Sequence, residues 1–137
     1  MRQLGALACP WPSQDRAVPS SKFSAALRLQ WTELAVQADL IIQATSAGAL
    51  GGDDGGELAQ LVPFEKLPKH ATAFDVIYRP PVTPFLLAAS KHGIAGKNGL
   101  GMLVHQAEAT YAQWIGAPPP MGAMRAAADA ALGSSSS

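Results

Sequence analysis

Two nearly unbroken apolar runs, each stopped by small or imino residues, organise the middle of the chain. Ala38-Asp39-Leu40-Ile41-Ile42-Gln43-Ala44-Thr45 meets a Gly-rich stretch over 46–56, and Ala73-Phe74-Asp75-Val76-Ile77-Tyr78 meets Arg79-Pro80-Pro81. Runs of this length predict buried strands of a parallel sheet, and the prolines, lacking an N–H, end the second. Thr83-Pro84 then offers an N-cap hydroxyl and a proline at the first helical position, predicting a helix through Phe85, Leu86, Ala88 and Ala89 that Gly93 closes. Residues 94–98 form a brief third strand candidate.

The strongest helical pattern covers 99–115. Leu100, Leu103, Ala107, Tyr111 and Trp114 recur at three and four and predict a core stripe. Gly99, Met102 and Gln106 share a neighbouring face that begins at the helix N-terminus. Gly116 closes this helix, Pro118-Pro119-Pro120 makes a stiff link, and 121–132 predicts a final Ala-rich helix. At the front, residues 1–22 carry Pro10, Pro12 and Pro19 without a sustained period and predict an irregular lead-in. Phe23, Ala26, Leu27, Trp31, Leu34 and Ala35 recur near helical spacing, although 28–31 fits a short strand equally well, and either element ends before Ala38.

Strand, loop, strand, helix, short strand and helix are consecutive units of an α/β fold. The expectation is a partial Rossmann-like parallel sheet with flanking helices and an Ala-rich C-terminal helix. The organisation expected is a lead-in over 1–22, the sheet domain over 23–116, the C-terminal helix over 117–132 and an unstructured tail over 133–137. Right-handed crossovers place all strand carboxyl ends on one edge, where such sheets bind ligands. Thr45-Ser46, Tyr78 and Gly99-Leu100-Gly101-Met102 follow the three strands and therefore face one crevice. Glycines there let a ligand approach the backbone, but Gly-Leu-Gly is equally a tight turn, and the pattern names no reaction.

Composition narrows the function classes. Leu, Ile, Val and Phe make 30 of 137 residues, about 22%, close to the roughly 20% below which chains stay disordered. Alanine supplies 26 of the 66 apolar residues, which favours closely packed helices over a sandwich of β-branched side chains. Ten basic and ten acidic side chains cancel, which argues against a general nucleic-acid binder. No apolar run approaches the roughly 18 to 20 residues of a membrane span, since even 38–49 contains Asp39, Gln43, Thr45 and Ser46. Cys9 is the single cysteine, so an internal disulfide or multi-cysteine zinc site is excluded and a reducing, cytoplasmic setting is expected. The residues before Cys9 make too short an apolar run for a lipoprotein leader. His70, His92 and His105 show no metal-ligand spacing, so no metal site is expected, and Lys91 and Lys97 are assigned to the surface. Asp53, Asp54 and Glu57 among glycines read as a solvated turn.

Three segments carry a more specific signal. Phe74-Asp75-Val76-Ile77-Tyr78-Arg79-Pro80, Thr83-Pro84-Phe85-Leu86 and Asn98-Gly99-Leu100-Gly101-Met102-Leu103-Val104-His105-Gln106-Ala107 resemble, in order and spacing, the C-terminal signature of shikimate dehydrogenases. Asp39-Leu40-Ile41-Ile42-Gln43-Ala44-Thr45-Ser46-Ala47-Gly48 resembles that family's preceding strand and cofactor loop, with Gln43 one methylene longer than the Asn the family commonly has. The resemblance runs over roughly residues 31–132.

The resemblance implies an NADP-dependent oxidoreductase interconverting 3-dehydroshikimate and shikimate in aromatic amino-acid biosynthesis. Carried over by motif, Thr45 and Ser46 line the cofactor crevice, Val76 and Gly99 contact the nicotinamide end, and Met102 packs beside the nicotinamide ring. Tyr78 and Gln106 touch the substrate. The family's Gly-x-Gly-Gly phosphate loop, Asn-Arg-Thr segment and N-terminal motifs with the catalytic Lys and Asp do not occur in the sequence. No catalytic residue is therefore assigned in this chain. It resembles the back half of the enzyme, expected to bind NADP weakly by itself and to act only with a complementing substrate domain. The alternatives are a quinate/shikimate dehydrogenase relative, or a non-catalytic assembly module whose uncovered apolar face drives homo-oligomerisation.

Overall fold

The computed structural model describes residues 31–133. The expected lead-in over 1–22, the ambiguous segment over 23–30, Cys9 and the serines at 134–137 lie outside these residues. Three parallel strands, β1 (Leu40–Gln43), β2 (Thr72–Asp75) and β3 (Ala95–Lys97), pair in the order β1-β2-β3. Ile42 faces Phe74 and Phe74 faces Lys97, so the three carboxyl ends lie along one edge as the crossover rule requires. Helices α1 (Gly56–Leu61), α2 (Pro84–Lys91), α3 (Leu100–Ile115) and α4 (Ala123–Gly133) connect and follow the strands, with a 3₁₀ turn at Phe64–Lys66 before β2. Each expected strand is present: β1 and β3 keep the middle of their runs, and β2 begins one residue early, at Thr72. They are less buried than the runs predict, since Leu40 and Ile42 are exposed and all of β3 is exposed, one face of the sheet having no helix against those positions.

The second strand stops at Asp75 rather than continuing to Tyr78. Its backbone is shared there between neighbours: the Val76 N–H still donates to Gln43 O at 3.0 Å, whereas Ile77 O accepts from the Gly99 N–H at 3.0 Å. Residues 76–78 thus leave the regular ladder to bridge β1 and the start of α3. At the front, residues 31–35 are helical, and Gln37 and Ala38 close the turn onto Leu34 and Ala35.

The core lies where β2, α1, the 3₁₀ turn and α2 meet. Phe64, Leu67, Ala71, Ala73, Phe85, Leu86, Ala89 and Ile94 are buried there with Ala35 and Val62. Phe64 and Phe85 meet with ring centroids 5.3 Å apart at 60°, a favoured tilted geometry, and the His92 ring also stacks with Phe64. Thr83 caps α2 by accepting from the Leu86 N–H, Pro84 occupies the first helical position, and Gly93 turns the chain away with φ 72°, as the sequence predicts.

The C-terminal part departs from its expected packing. Of the predicted core stripe on α3, Leu100 alone is buried; Leu103, Ala107 and Tyr111 are half-buried and Trp114 is 81% exposed. Val104, outside that stripe, is buried instead. The element α3 packs against is α4, no residue of which is buried. An Ala-rich helix has too little side-chain surface to cover large neighbours. Gly133, expected in the tail, is the last residue of α4. No helix among the described residues is long and apolar enough to cross a membrane.

Candidate functional site at the strand carboxyl ends

At the end of β1 the Gln43 side chain is buried and folds back on its own loop. Its amide Nε2 donates to Ala47 O at 2.9 Å, and its Oε1 accepts from the Thr45 N–H. The Thr45 hydroxyl in turn accepts from the Ala47 N–H at 3.2 Å. The longer side chain is what spans the four residues from 43 to 47, so Gln43 shapes the loop from inside while Thr45 and Ser46 are the residues it presents. Gln43→Ala would strand the Ala47 carbonyl and the Thr45 N–H; we expect a loss of about 1–3 kcal/mol in denaturant unfolding. A change below about 0.5 kcal/mol would show that water satisfies these groups equally well.

The glycines that follow serve compactness. Gly48 has φ 89°, and a Cβ on it would come within 3.2 Å of the Pro84 ring. Its N–H donates to Asp53 O at 2.7 Å, and Asp54 Oδ1 accepts from the Gly56 N–H at 2.8 Å, so the acidic loop is used in turn formation. The Leu50 N–H donates to Arg79 O at 3.3 Å, which joins this loop to the one after β2.

Val76 and Gly99, assigned to the same end of the cofactor, are brought into direct apposition. A Cβ on Gly99 would lie 1.9 Å from Val76 O, so only a residue without a side chain lets the two strand ends meet. Asn98 secures the same junction. Its Nδ2 donates to Pro81 O at 3.0 Å and its Oδ1 accepts from the Leu100 N–H at 3.2 Å, capping α3. Met102 stands at the first turn of α3, 38% exposed, and Tyr78, also 38% exposed, follows Ile77 directly. Gln106 is exposed one turn further along. It lines a hollow of about 330 Å³ between α3 and α4 with Leu103, Ala107, Tyr111, Trp114 and Met124, and Met102 lies outside that hollow. Thr45 and Ser46, Val76 and Tyr78, and Gly99 and Met102 therefore sit at three adjacent strand ends, with Gln106 farther along the last helix.

The remaining polar residues lie elsewhere. His70 Nε2 meets Asp39 Oδ1 at 2.9 Å at the opposite, amino-terminal edge of the sheet, and His105 pairs with Glu108 on the exposed face of α3. Lys91 and Lys97 are exposed. The sequence pattern singles out neither Asp75 nor Asn98, and Thr83 only as a helix cap. For Asp75 the signal was available: a carboxyl inside an apolar run must find partners if that run is buried.

Residues 99–128 match the shikimate 5'-dehydrogenase C-terminal domain. The shikimate dehydrogenase (NADP(+)) of Citrifermentans bemidjiense is 43% identical over 95 residues, which are 69% of this chain and 31% of that protein. Among solved structures, the shikimate 5-dehydrogenase of Thermus thermophilus in complex with NADP(H) and shikimate superposes with a TM-score of 0.59 at 34% identity, covering 74% of this chain and 37% of that one. The ligand-free 5-ketofructose reductase of a Gluconobacter species does so with a TM-score of 0.57 at 32% identity, covering 69% and 32%. The chain spans about 30% of the length of the curated relatives it matches. By sequence and by fold, the chain is similar to the C-terminal portion of shikimate dehydrogenases.

Proposed function

We propose that this chain provides the nicotinamide end and one substrate wall of an NADP-dependent oxidoreductase that interconverts 3-dehydroshikimate and shikimate. The observation that carries this reading is the Val76–Gly99 apposition, which brings two backbones into contact at the carboxyl edge of the sheet, three residues before Met102. The residues present suit the cofactor. Met102 offers soft apolar surface to a flat ring, and Thr45 and Ser46 offer hydroxyls at the neighbouring strand end. NADPH, when bound, supplies the hydride that reduces the substrate carbonyl. The chain's own part is to orient: Val76, Gly99 and Met102 hold one face of the nicotinamide, while Tyr78 and Gln106 hydrogen-bond hydroxyls or the carboxylate of the substrate. The proton acid or base and the pyrophosphate turn are assigned to a complementing substrate domain and phosphate loop outside the described residues. The similarity to a 5-ketofructose reductase favours a second reading, in which the same half-site serves another polyhydroxylated ketone.

Ligand-observed NMR on the purified chain tests the proposal. With millimolar NADP and shikimate, saturation should pass to the nicotinamide protons more than to the adenine protons. Tyr78→Phe and Gln106→Ala should each weaken the shikimate signal about tenfold, the equivalent of one lost hydrogen bond to a partner left unpaired. Adenine-dominated transfer, or none, would refute the assignment. Transfer to 5-ketofructose but not to shikimate would select the second reading.

A further inference from the structure

Asp75 ends β2 with no exposed surface, and both of its carboxyl oxygens are engaged. Oδ1 accepts from the Ile77 N–H at 2.9 Å, and Oδ2 accepts from the Thr83 hydroxyl at 2.5 Å. Thr83 is itself only 1% exposed, and its oxygen also accepts from the Leu86 N–H at 3.3 Å at the start of α2. Ile77 lies between Val76 and Tyr78, and its carbonyl accepts from the Gly99 N–H. A single carboxyl therefore fixes the peptide between two proposed ligand contacts and ties it to α2 on one side and, through Ile77, to the α3 start on the other.

We infer that Asp75 is a positioning residue for the site: it sets the Val76-Ile77-Tyr78 segment against Gly99, acting through Ile77 and Thr83 without touching ligand. This rests on the functional reading above. The donor directions make the role specific. Ile77 N–H and Thr83 O–H both point inward, and only a group with two acceptors serves both. An amide at position 75 keeps one acceptor and presents N–H to a hydroxyl that has lost the acceptor for its proton. Burial leaves no water to substitute.

Amide hydrogen exchange on the full chain, combined with the NMR binding assay, separates positioning from general destabilisation. Asp75→Asn and Thr83→Val should each lower protection at Ile77 and Gly99 about tenfold relative to Thr72, whose N–H donates to Asp39 O at the far end of the same strand. Asp75→Asn combined with Thr83→Val should cost less than the two single changes together, because they break one shared contact. Thr83→Ser, which keeps the hydroxyl, should restore both protection and nicotinamide contact. Val62→Ala, a core change outside this network, should lower Ile77 and Thr72 protection equally and leave ligand contact per folded molecule unaltered. Equal loss at Ile77 and Thr72 in Asp75→Asn, or no rescue by serine, would overturn the proposal. Absence of ligand contact in the unmodified chain would instead refute the functional reading, with the exchange result still deciding whether Asp75 holds the segment.

Discussion

Gly99→Ala should lower the thermal midpoint of the chain by roughly 10 °C, whereas Gly101→Ala, two residues away, should raise it. At position 99 the added Cβ would lie 1.9 Å from Val76 O and 2.5 Å from Val76 C. Both are backbone atoms, so no side chain can rotate aside. The φ of Gly99 is −75°, ordinary for any residue, so the penalty is steric rather than conformational. Relief requires the 76–77 peptide to retreat, and that peptide is held by Val76 N–H on Gln43 O and by Gly99 N–H on Ile77 O. Overpacking against fixed backbone costs about 3 kcal/mol or more, which at this chain length corresponds to the stated fall. Nothing lies within 4 Å of a Cβ on Gly101, which is inside α3, so alanine there should gain about 0.5–1 kcal/mol from helix propensity. Circular dichroism melts of the two variants give opposite signs if the close approach exists in solution. Two small shifts of the same sign would mean the strand ends stand further apart.

The same pair shows how much of the molecule its sequence discloses. Helix starts and stops were legible because they rest on local chemistry: Thr83-Pro84 at one end of α2 and Gly93 at the other, and Gly116 with φ 76° after α3. Strand positions were legible from the apolar runs, but their burial was not: Leu40 and Ile42 of β1 are 53% and 55% exposed, because the described residues leave one face of that strand uncovered. That the strand ends share one edge, the one carrying Thr45, Ser46, Val76, Tyr78, Gly99 and Met102, followed from crossover handedness, whereas the strand order did not. What a sequence pattern does not carry is which glycine faces what. Gly99 and Gly101 are equivalent in a Gly-Leu-Gly string, and the difference between them is made by Val76, far earlier in the chain.

Packing of α3 was misjudged for a related reason. A three-four stripe identifies residues able to share a partner surface, not whether that surface is present. Leu100 is buried at the helix start, next to the Val76–Gly99 junction, but Trp114, at the far end toward α4, whose alanines reach little, is 81% exposed. Gln43 gives the converse case. Compared with the family's usual Asn it reads as an extra methylene, and in the structure that length lets the side chain span to Ala47. The segment over 57–71 yielded least, since Pro63 and Pro68 interrupt any period and leave α1 and the 3₁₀ turn too short to show one.

That segment nevertheless supplies the residue whose loss should destabilise the chain most. Phe64 is 2% exposed on a 3₁₀ turn and packs against the Phe85 and His92 rings, joining the β1–β2 connection to both ends of α2. Phe64→Ala removes a full aromatic side chain from the centre of the cluster, at a cost of about 3–5 kcal/mol. Domains are stable by only about 5–15 kcal/mol, and a chain with about 22% large aliphatic and phenyl residues stands toward the low end, so much of the variant should be unfolded at 37 °C. Trp114→Ala removes a larger ring, but one that is 81% exposed, and should alter stability by no more than about 0.5 kcal/mol. Urea titrations of both variants would decide between the observed core and the stripe expected from α3. A Trp114 effect equal to that of Phe64 would place the outer half of α3 in a covered interface, and a small Phe64 effect would remove the 3₁₀ turn from the core. Because β2 carries Ala73 into this same cluster and Asp75 into the site two residues later, the Phe64 change should also loosen Val76 and Tyr78. Phe64→Leu, which keeps most of the volume, should recover chain stability and the half-site together.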